Sequence, residues 1–335
     1  MYEAYYQLRD KPFQLNPDPR FFYGSRGHKR AFSYLEYGLS LGEGFIIITG
    51  EVGAGKTMLV KHLLRKLERG HYQVANLVST QLDADDMLRS VSAAFGLDYE
   101  HLSKAALLTN LRTFLRDTLR QGRRALLIVD EAQNLTPRAV EELRMLSNFE
   151  EGGKSLLQSF LLGQPEFRAI LQSREMQQLR QRVIASYHLG PMDRDETRGY
   201  IQHRLKTVGW QGNPAFSEDA FDAIHAFCGG VPRRINMLCD RLLLFGFLEE
   251  RNQFDAAAVQ EVIADLRQEL HYQPAPSETD ALPAAVAPAA ASFASAAVLP
   301  AELAERITQI ERGLTRLIPM VRKILYTVSS GQERE

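Results

Sequence analysis

Gly50-Glu51-Val52-Gly53-Ala54-Gly55-Lys56-Thr57 matches the spacing G-x-x-x-x-G-K-[ST] at every position. Phe45-Ile46-Ile47-Ile48-Thr49 just before it is a short β-branched apolar run that reads as a buried parallel strand. Just after it, Leu59, Val60, Leu63, Leu64 and Leu67 recur at helical spacing. Strand, glycine loop and helix thus follow in the order a phosphate-binding loop requires. Glycines let the backbone wrap closely around a triphosphate with its N–H groups inward, and the positive end of the new helix faces the anion. This reading expects Gly50, Glu51, Val52, Gly53, Ala54, Gly55, Lys56, Thr57 and Met58 to surround ATP. Lys56 reaches the β- and γ-phosphates, and the Thr57 hydroxyl ligates Mg²⁺.

A second site follows about seventy residues on. Ala125-Leu126-Leu127-Ile128-Val129-Asp130-Glu131 is a continuous apolar strand that ends in two carboxylates. A strand apolar on both faces belongs in a parallel sheet between helices, and the carboxyl ends of such strands hold ligands. Asp130 is expected to hold Mg²⁺ through water opposite Thr57, leaving Glu131 to polarise the attacking water as general base. Residues 156–162 form the next buried strand, which runs into Gly163-Gln164-Pro165. Gln164 at that strand end faces the γ-phosphate beside Glu131.

Around these sites the chain divides by pattern. The start is rich in aromatics and proline, with Phe13 and Tyr23 as alternative walls for the adenine, or else as staples of the arm to the core. A helical pattern through Ala31, Leu35 and Leu39 leads into the first strand. Residues 74–78 read as a second strand, 83–95 and 107–115 as helices, and Thr136-Pro137 as the capped start of another helix. Gly152-Gly153 marks a loop over 150–154 that is expected to be mobile. Arg180 and Arg182 precede the strand at 183–189, and in a ring of subunits one of them, with Arg182 preferred, reaches a neighbour's γ-phosphate. From Met192 onward only helices are expected, at 193–207, 217–228, 232–248 and 254–270. Gly230-Val231-Pro232-Arg233 opens the third of them, so that Arg233 can swing onto the triphosphate.

Composition sets further bounds. The chain has 335 residues, 45% of them hydrophobic, and a formal net charge of −1, which argues against a generally basic nucleic-acid coat. Cys228 and Cys239 lack metal-type spacing and read as core fillers of a reducing compartment. The first residues lack the basic start and apolar core of a secretory signal, so a cytoplasmic location is expected, peripheral at the inner membrane in one variant. Residues 281–300 carry no charge but are mostly alanine, too weakly apolar to span a bilayer, and read as a linker. Leu303, Ile307, Ile310, Leu314, Leu317, Val321, Ile324 and Val328 form a heptad seam, weakened by Gly313 and Pro319. It predicts self-association or a protein partner, such as a membrane-associated export component, with a membrane-surface helix as the alternative.

Together, Phe13-Gln14-Leu15-Asn16-Pro17-Asp18-Pro19, Gly50–Thr57, Asp130-Glu131-Ala132-Gln133-Asn134-Leu135, Gly163-Gln164-Pro165-Glu166 and Gly230-Val231-Pro232-Arg233-Arg234-Ile235-Asn236 resemble the AAA+ ATPases of the ExeA or general secretion pathway protein A type. The resemblance covers roughly residues 1–270. It implies an α/β P-loop fold with a five-stranded parallel sheet in the order 5-1-4-3-2 and a C-terminal helical lid. It also carries the roles of Lys56, Thr57, Asp130, Glu131, Gln164 and Arg233 given above, and an oligomeric, ring-forming ATP hydrolase. Beyond residue 270 the chain departs from that type and looks closer to the ATPases that accompany exosortase-type exopolysaccharide and protein-sorting systems. The expected organisation is an N-terminal arm and helix packing on the core (1–43), an ATPase core (44–191), a lid (192–272), a linker (273–300) and a heptad helix (301–329). The expected function is a Mg-ATPase serving an envelope export system. The alternative is a DNA-binding ATPase of the transposition-regulator or loader kind, a class that shares the core.

Overall fold

The computed structural model describes residues 1–66, 71–78 and 83–270. The linker at 273–300 and the heptad helix at 301–329 lie outside them. Five strands, β1 (Phe45–Gly50), β2 (Tyr72–Val78), β3 (Arg124–Asp130), β4 (Leu157–Gly163) and β5 (Val183–Leu189), pair in parallel in the spatial order β5-β1-β4-β3-β2. This is the expected 5-1-4-3-2 arrangement, with β1 inside the sheet and buried along its whole length.

Alternation along the strands sorts the core into two layers. Phe45, Ile47, Leu127, Val129 and Leu161 face one side, where they meet helices α3 (Ala84–Ala94), α4 (Lys104–Arg120) and α5 (Pro137–Leu146). Ile46, Ile48, Leu126, Ile128 and Phe160 face the other side, under α1 (Arg26–Leu41) and α2 (Lys56–Lys66). Ser25 caps α1 by accepting from His28 N at 3.3 Å, and Gly42 closes it in the left-handed region at φ 72°. Gly38 lets α1 lie directly on the sheet, because a Cβ there would overlap the Ile46 side chain. The buried Gln158 of β4 ties the same place down by donating to Gly38 O at 2.7 Å.

A short helix α6 (Glu166–Gln172) follows β4. After β5 the chain forms α7 (Arg194–Thr207), α8 (Glu218–Cys228), α9 (Pro232–Leu248) and α10 (Ala256–Leu270), a helical lid that departs from the all-helical expectation by one short parallel pair, Ala215–Phe216 with Gln253–Phe254. Asp193 and Glu196 make a reciprocal capping box, Ser217 caps α8, and Asp255 Oδ1 accepts from Ala258 N at the start of α10. Both cysteines fill the lid's core, and burial pushes the Cys228 thiol up to about 12. Among the described residues no helix is long and apolar enough to cross a membrane.

Three further expectations need correction. The loop over 150–154 closes as a tight hairpin, with Glu150–Glu151 paired antiparallel to Lys154–Ser155 around the two left-handed glycines. Strand β3 ends at Asp130, because Glu131 adopts a left-handed backbone at φ 53°. The N-terminal arm packs mostly on the lid, and its Phe22 reaches the core, stacked on His62 of α2 at 4.0 Å between ring centres. Tyr2, Tyr6, Leu8, Phe13 and Phe21 are all buried in one cluster with the lid helices. The reason is area: each buried aromatic removes about 150–250 Å² from water, and four short helices present an open apolar face that those rings cover.

Candidate functional site

The sheet brings the functional residues to one edge because β1, β3 and β4 are parallel and in register. Their carboxyl ends deliver the glycine loop, Asp130-Glu131 and Gln164 side by side. Within the loop, Gly53 and Gly55 adopt φ of 83° and 101°, a region that strains any residue with a Cβ. Gly53 is also crowded: a Cβ would strike Arg233, whose backbone N–H donates to Gly53 O at 3.3 Å. Arg233 lies in the first turn of α9, behind Pro232, and its side chain is exposed. The lid thereby touches the phosphate loop directly.

Lys56 is 6% exposed and donates to Gly50 O at 2.7 Å and Glu51 O at 3.0 Å. Burial pushes its ammonium below the usual lysine range, while the nearby carboxylates of Glu131 and Asp130 oppose that. Thr57 Oγ1 donates to Asp130 Oδ2 at 2.7 Å. Glu131 Oε2 accepts from Gln164 Nε2 at 3.1 Å and from Gln133 Nε2 at 2.5 Å. Partial burial pushes the Glu131 carboxyl up, but the two amide hydrogen bonds and the Lys56 charge outweigh it and hold the group below the ordinary glutamate range. Glu131 is therefore ionised at neutral pH, as an acceptor of protons must be.

Gln133 has a role that the sequence did not reveal. Besides holding Glu131, its Oε1 accepts from Gln164 N at 2.9 Å, so it links the turn after β3 to the turn after β4. The signal for it was its place two residues after Glu131, in a turn whose left-handed first residue brings positions 131 and 133 together. His28 was also missed. It is buried, its Nδ1 lies 2.7 Å from Ser25 Oγ, and its ring packs where a Cβ on Gly55 would be. No local pattern marks it, since the phosphate loop is more than twenty residues away.

Lys56, Thr57, Glu131, His28 and Arg233 line one cleft of about 410 Å³, within the range of small-molecule sites, while Asp130, Gln133 and Gln164 hold that lining from outside it. The walls are Gln14–Pro17, Phe22 and Tyr23 of the arm, Val52, Gly53 and Gly55–Met58 of the loop, Glu131, and Tyr200, Arg204, Arg233 and Asn236 of the lid. Of the two candidate adenine walls, Tyr23 lines the cleft. Phe13 does not: at 1% exposure it belongs to the lid's core. Arg182 is not brought to this cleft. Its carbonyl accepts from Phe45 N at 2.9 Å and its Nη1 donates to Ser147 O at 3.3 Å, at the amino-terminal edge of the sheet. Arg180 binds the Leu171 and Ser173 carbonyls on the same side. Either arginine needs a second copy of the chain to act on a nucleotide.

The residues fit magnesium and a nucleoside triphosphate. Thr57 and Asp130 supply hard oxygens at the loop, the kind of sparse donor set that Mg²⁺ uses when phosphates complete its shell. A buried ammonium held only by carbonyls, next to two glycines that leave room for bulky oxygens, suits a polyphosphate.

Comparison with known proteins agrees with this geometry. A sequence profile described as an AAA domain matches residues 40–171. The chain is 38% identical over 248 residues to general secretion pathway protein A of Aeromonas hydrophila, a stretch that covers 74% of this chain and 45% of that protein. It therefore spans less than half the length of that relative. In three dimensions it is similar to the ORC2 protein of Aeropyrum pernix, with TM-score 0.60 and 16% identity over 76% of this chain and 71% of that one. It is also similar to Cdc6p of Pyrobaculum aerophilum, with TM-score 0.61 and 15% identity over 76% and 70% of the two chains. At these identities the structural likeness speaks for the fold alone.

Proposed function

We propose that this chain, similar to general secretion pathway protein A and matched in part by an AAA domain, is an AAA+ ATPase of that type, which binds and hydrolyses ATP with Mg²⁺ and couples that cycle to an envelope export or assembly system. The observation that carries this reading is that Lys56, Thr57 and Glu131 line one cleft, with Thr57 bonded to Asp130 at 2.7 Å and Glu131 to Gln164 at 3.1 Å. In this proposal the loop N–H groups and Lys56 hold the β- and γ-phosphates. Glu131 accepts the proton of the attacking water, which Gln164 helps to orient. Arg233 meets charge on the γ-phosphate from the lid side, so that nucleotide state sets the lid's position. Thr57 and Asp130 would hold magnesium, which would supply charge to neutralise the phosphates.

Arg182 is proposed to act in trans, in an ATP-dependent homo-oligomer. The link to export rests on the relative's name, and the heptad segment at 301–329 is where we look for the partner. The test is Glu131→Gln in the full chain. Nucleotide binding, read by calorimetry, should stay within about threefold of the parent, while steady-state ATP hydrolysis falls by about 100-fold or more. Hydrolysis at the parental rate would show that Glu131 is not the general base.

A further inference from the structure

One buried cation in the cleft wall has no part in the chemistry above. Arg204 of α7 is 4% exposed, and among the described residues no carboxylate lies within ion-pair distance of it. Such a charge is costly unless its donors are used. They are used on the arm and on one hydroxyl: Nε donates to Pro12 O, Nη2 to Gln14 O at 3.2 Å and Nη1 to Tyr200 Oη at 2.8 Å. The guanidinium also lies 4.6 Å from the centre of the Phe21 ring. Tyr200 in turn donates to Asn236 Oδ1 at 2.8 Å, one turn along α9 from Arg233. Arg204, Tyr200 and Asn236 all line the cleft.

Resting on the nucleotide reading above, phosphates bound to the loop are already met by its N–H groups, Lys56, Thr57 and Arg233. The remaining wall, arm residues 14–17 and 22–23 facing Tyr200 and Arg204, is left for the base and ribose. Its rings suit a flat heterocycle, and the peptide groups of Gln14–Pro17 suit the heterocycle's edge. Three of the five N–H groups of Arg204 are engaged, two by carbonyls of the arm and one by Tyr200 Oη, so its guanidinium is anchored on the arm. We propose that Arg204 is a positioning residue for the base: by clamping the Pro12 and Gln14 carbonyls to α7, it fixes the arm as the base-binding wall. Its link through Tyr200 and Asn236 to the turn that bears Arg233 makes base binding and lid position one event.

Binding of ATP, ADP and inorganic tripolyphosphate, each with magnesium, to the full chain and to its Arg204→Met variant tests this, because tripolyphosphate keeps the phosphates and lacks the base. The expected result is a loss of about tenfold or more in affinity for ATP and ADP, as removal of charged hydrogen bonds implies, with tripolyphosphate affinity within about twofold of the parent. In steady state KM for ATP should rise while kcat changes little. Equal weakening of all three ligands, or of none, overturns the proposal. If Arg204→Met does not fold, Tyr200→Phe removes one link of the clamp. It should weaken ATP several-fold and spare tripolyphosphate, and unchanged ATP affinity there overturns the proposal as well. A parent chain that binds tripolyphosphate and ATP equally well would sink the base wall alone. A parent chain that binds neither would sink the nucleotide reading and this inference with it.

Discussion

At the residue scale the site depends on Glu131 being turned out of its strand. Left-handed backbone at a non-glycine residue costs of order 1 kcal/mol and persists only where the surroundings enforce it. Here the enforcing contacts are the two glutamine amides on its carboxylate and its own N–H donating to Asp130 Oδ1 at 3.0 Å. Gln133 touches Glu131 and Gln164 but lies outside the lining of the cleft. Replacing Gln133 with Ala should therefore lower kcat for ATP by about tenfold through a misaligned base, short of the 10²–10⁴ expected when a base is lost. KM should stay nearly constant. A large rise in KM with kcat intact would assign Gln133 to binding instead.

At the scale of elements, the packing of α1 on β1 is set by one small residue. Alanine would raise the helix propensity of position 38 by about 1 kcal/mol over glycine. Its methyl would overlap the buried Ile46 side chain, and overpacking of that sort costs about 1–3 kcal/mol. The second effect should win. Gly38→Ala is expected to lower the melting temperature by a few degrees, read by calorimetry or circular dichroism. A higher melting temperature would mean that Ile46 repacks freely and that propensity governs this helix. The same comparison explains why the periodic apolar residues of α1 were legible and its closeness to the sheet was not. Ala31, Leu35 and Leu39 announce the buried face, whereas Gly38 in isolation reads only as a weak spot in a helix.

At the scale of the whole molecule, stability should depend on pH through histidines that packing keeps neutral. Burial holds His28, His62, His188 and His203 below the ordinary histidine range. Each binds a proton less readily in the folded chain than in the unfolded one. Below about pH 6.5 the unfolded state therefore takes up more protons, so stability rises with pH through that window and is level above it. Thermal melts should fall progressively as pH is taken from 7.5 towards 5.5, and His28→Asn should flatten part of that dependence. A melting temperature independent of pH over this range would contradict the assignment. The arm, α7 and α9 belong to the same scale. The arm's rings, clamped by Arg204, make the beginning of the chain part of the lid, although 190 positions separate Gln14 from Arg204 in sequence.

The sequence by itself determined the phosphate loop, the five strands and their class, the acidic strand end and the four lid helices. Each of these is written in local spacing: apolar runs, periods of two and 3.6, cap residues and a loop motif. Only the tertiary structure decided that Glu131 leaves its strand, that Gln133 braces it, that Phe13 fills the lid while Tyr23 lines the cleft, and that Arg204 carries the arm. Those facts depend on contacts between segments far apart along the chain. A side chain's partner there is fixed by how the layers close over the sheet, and no neighbour in sequence encodes it.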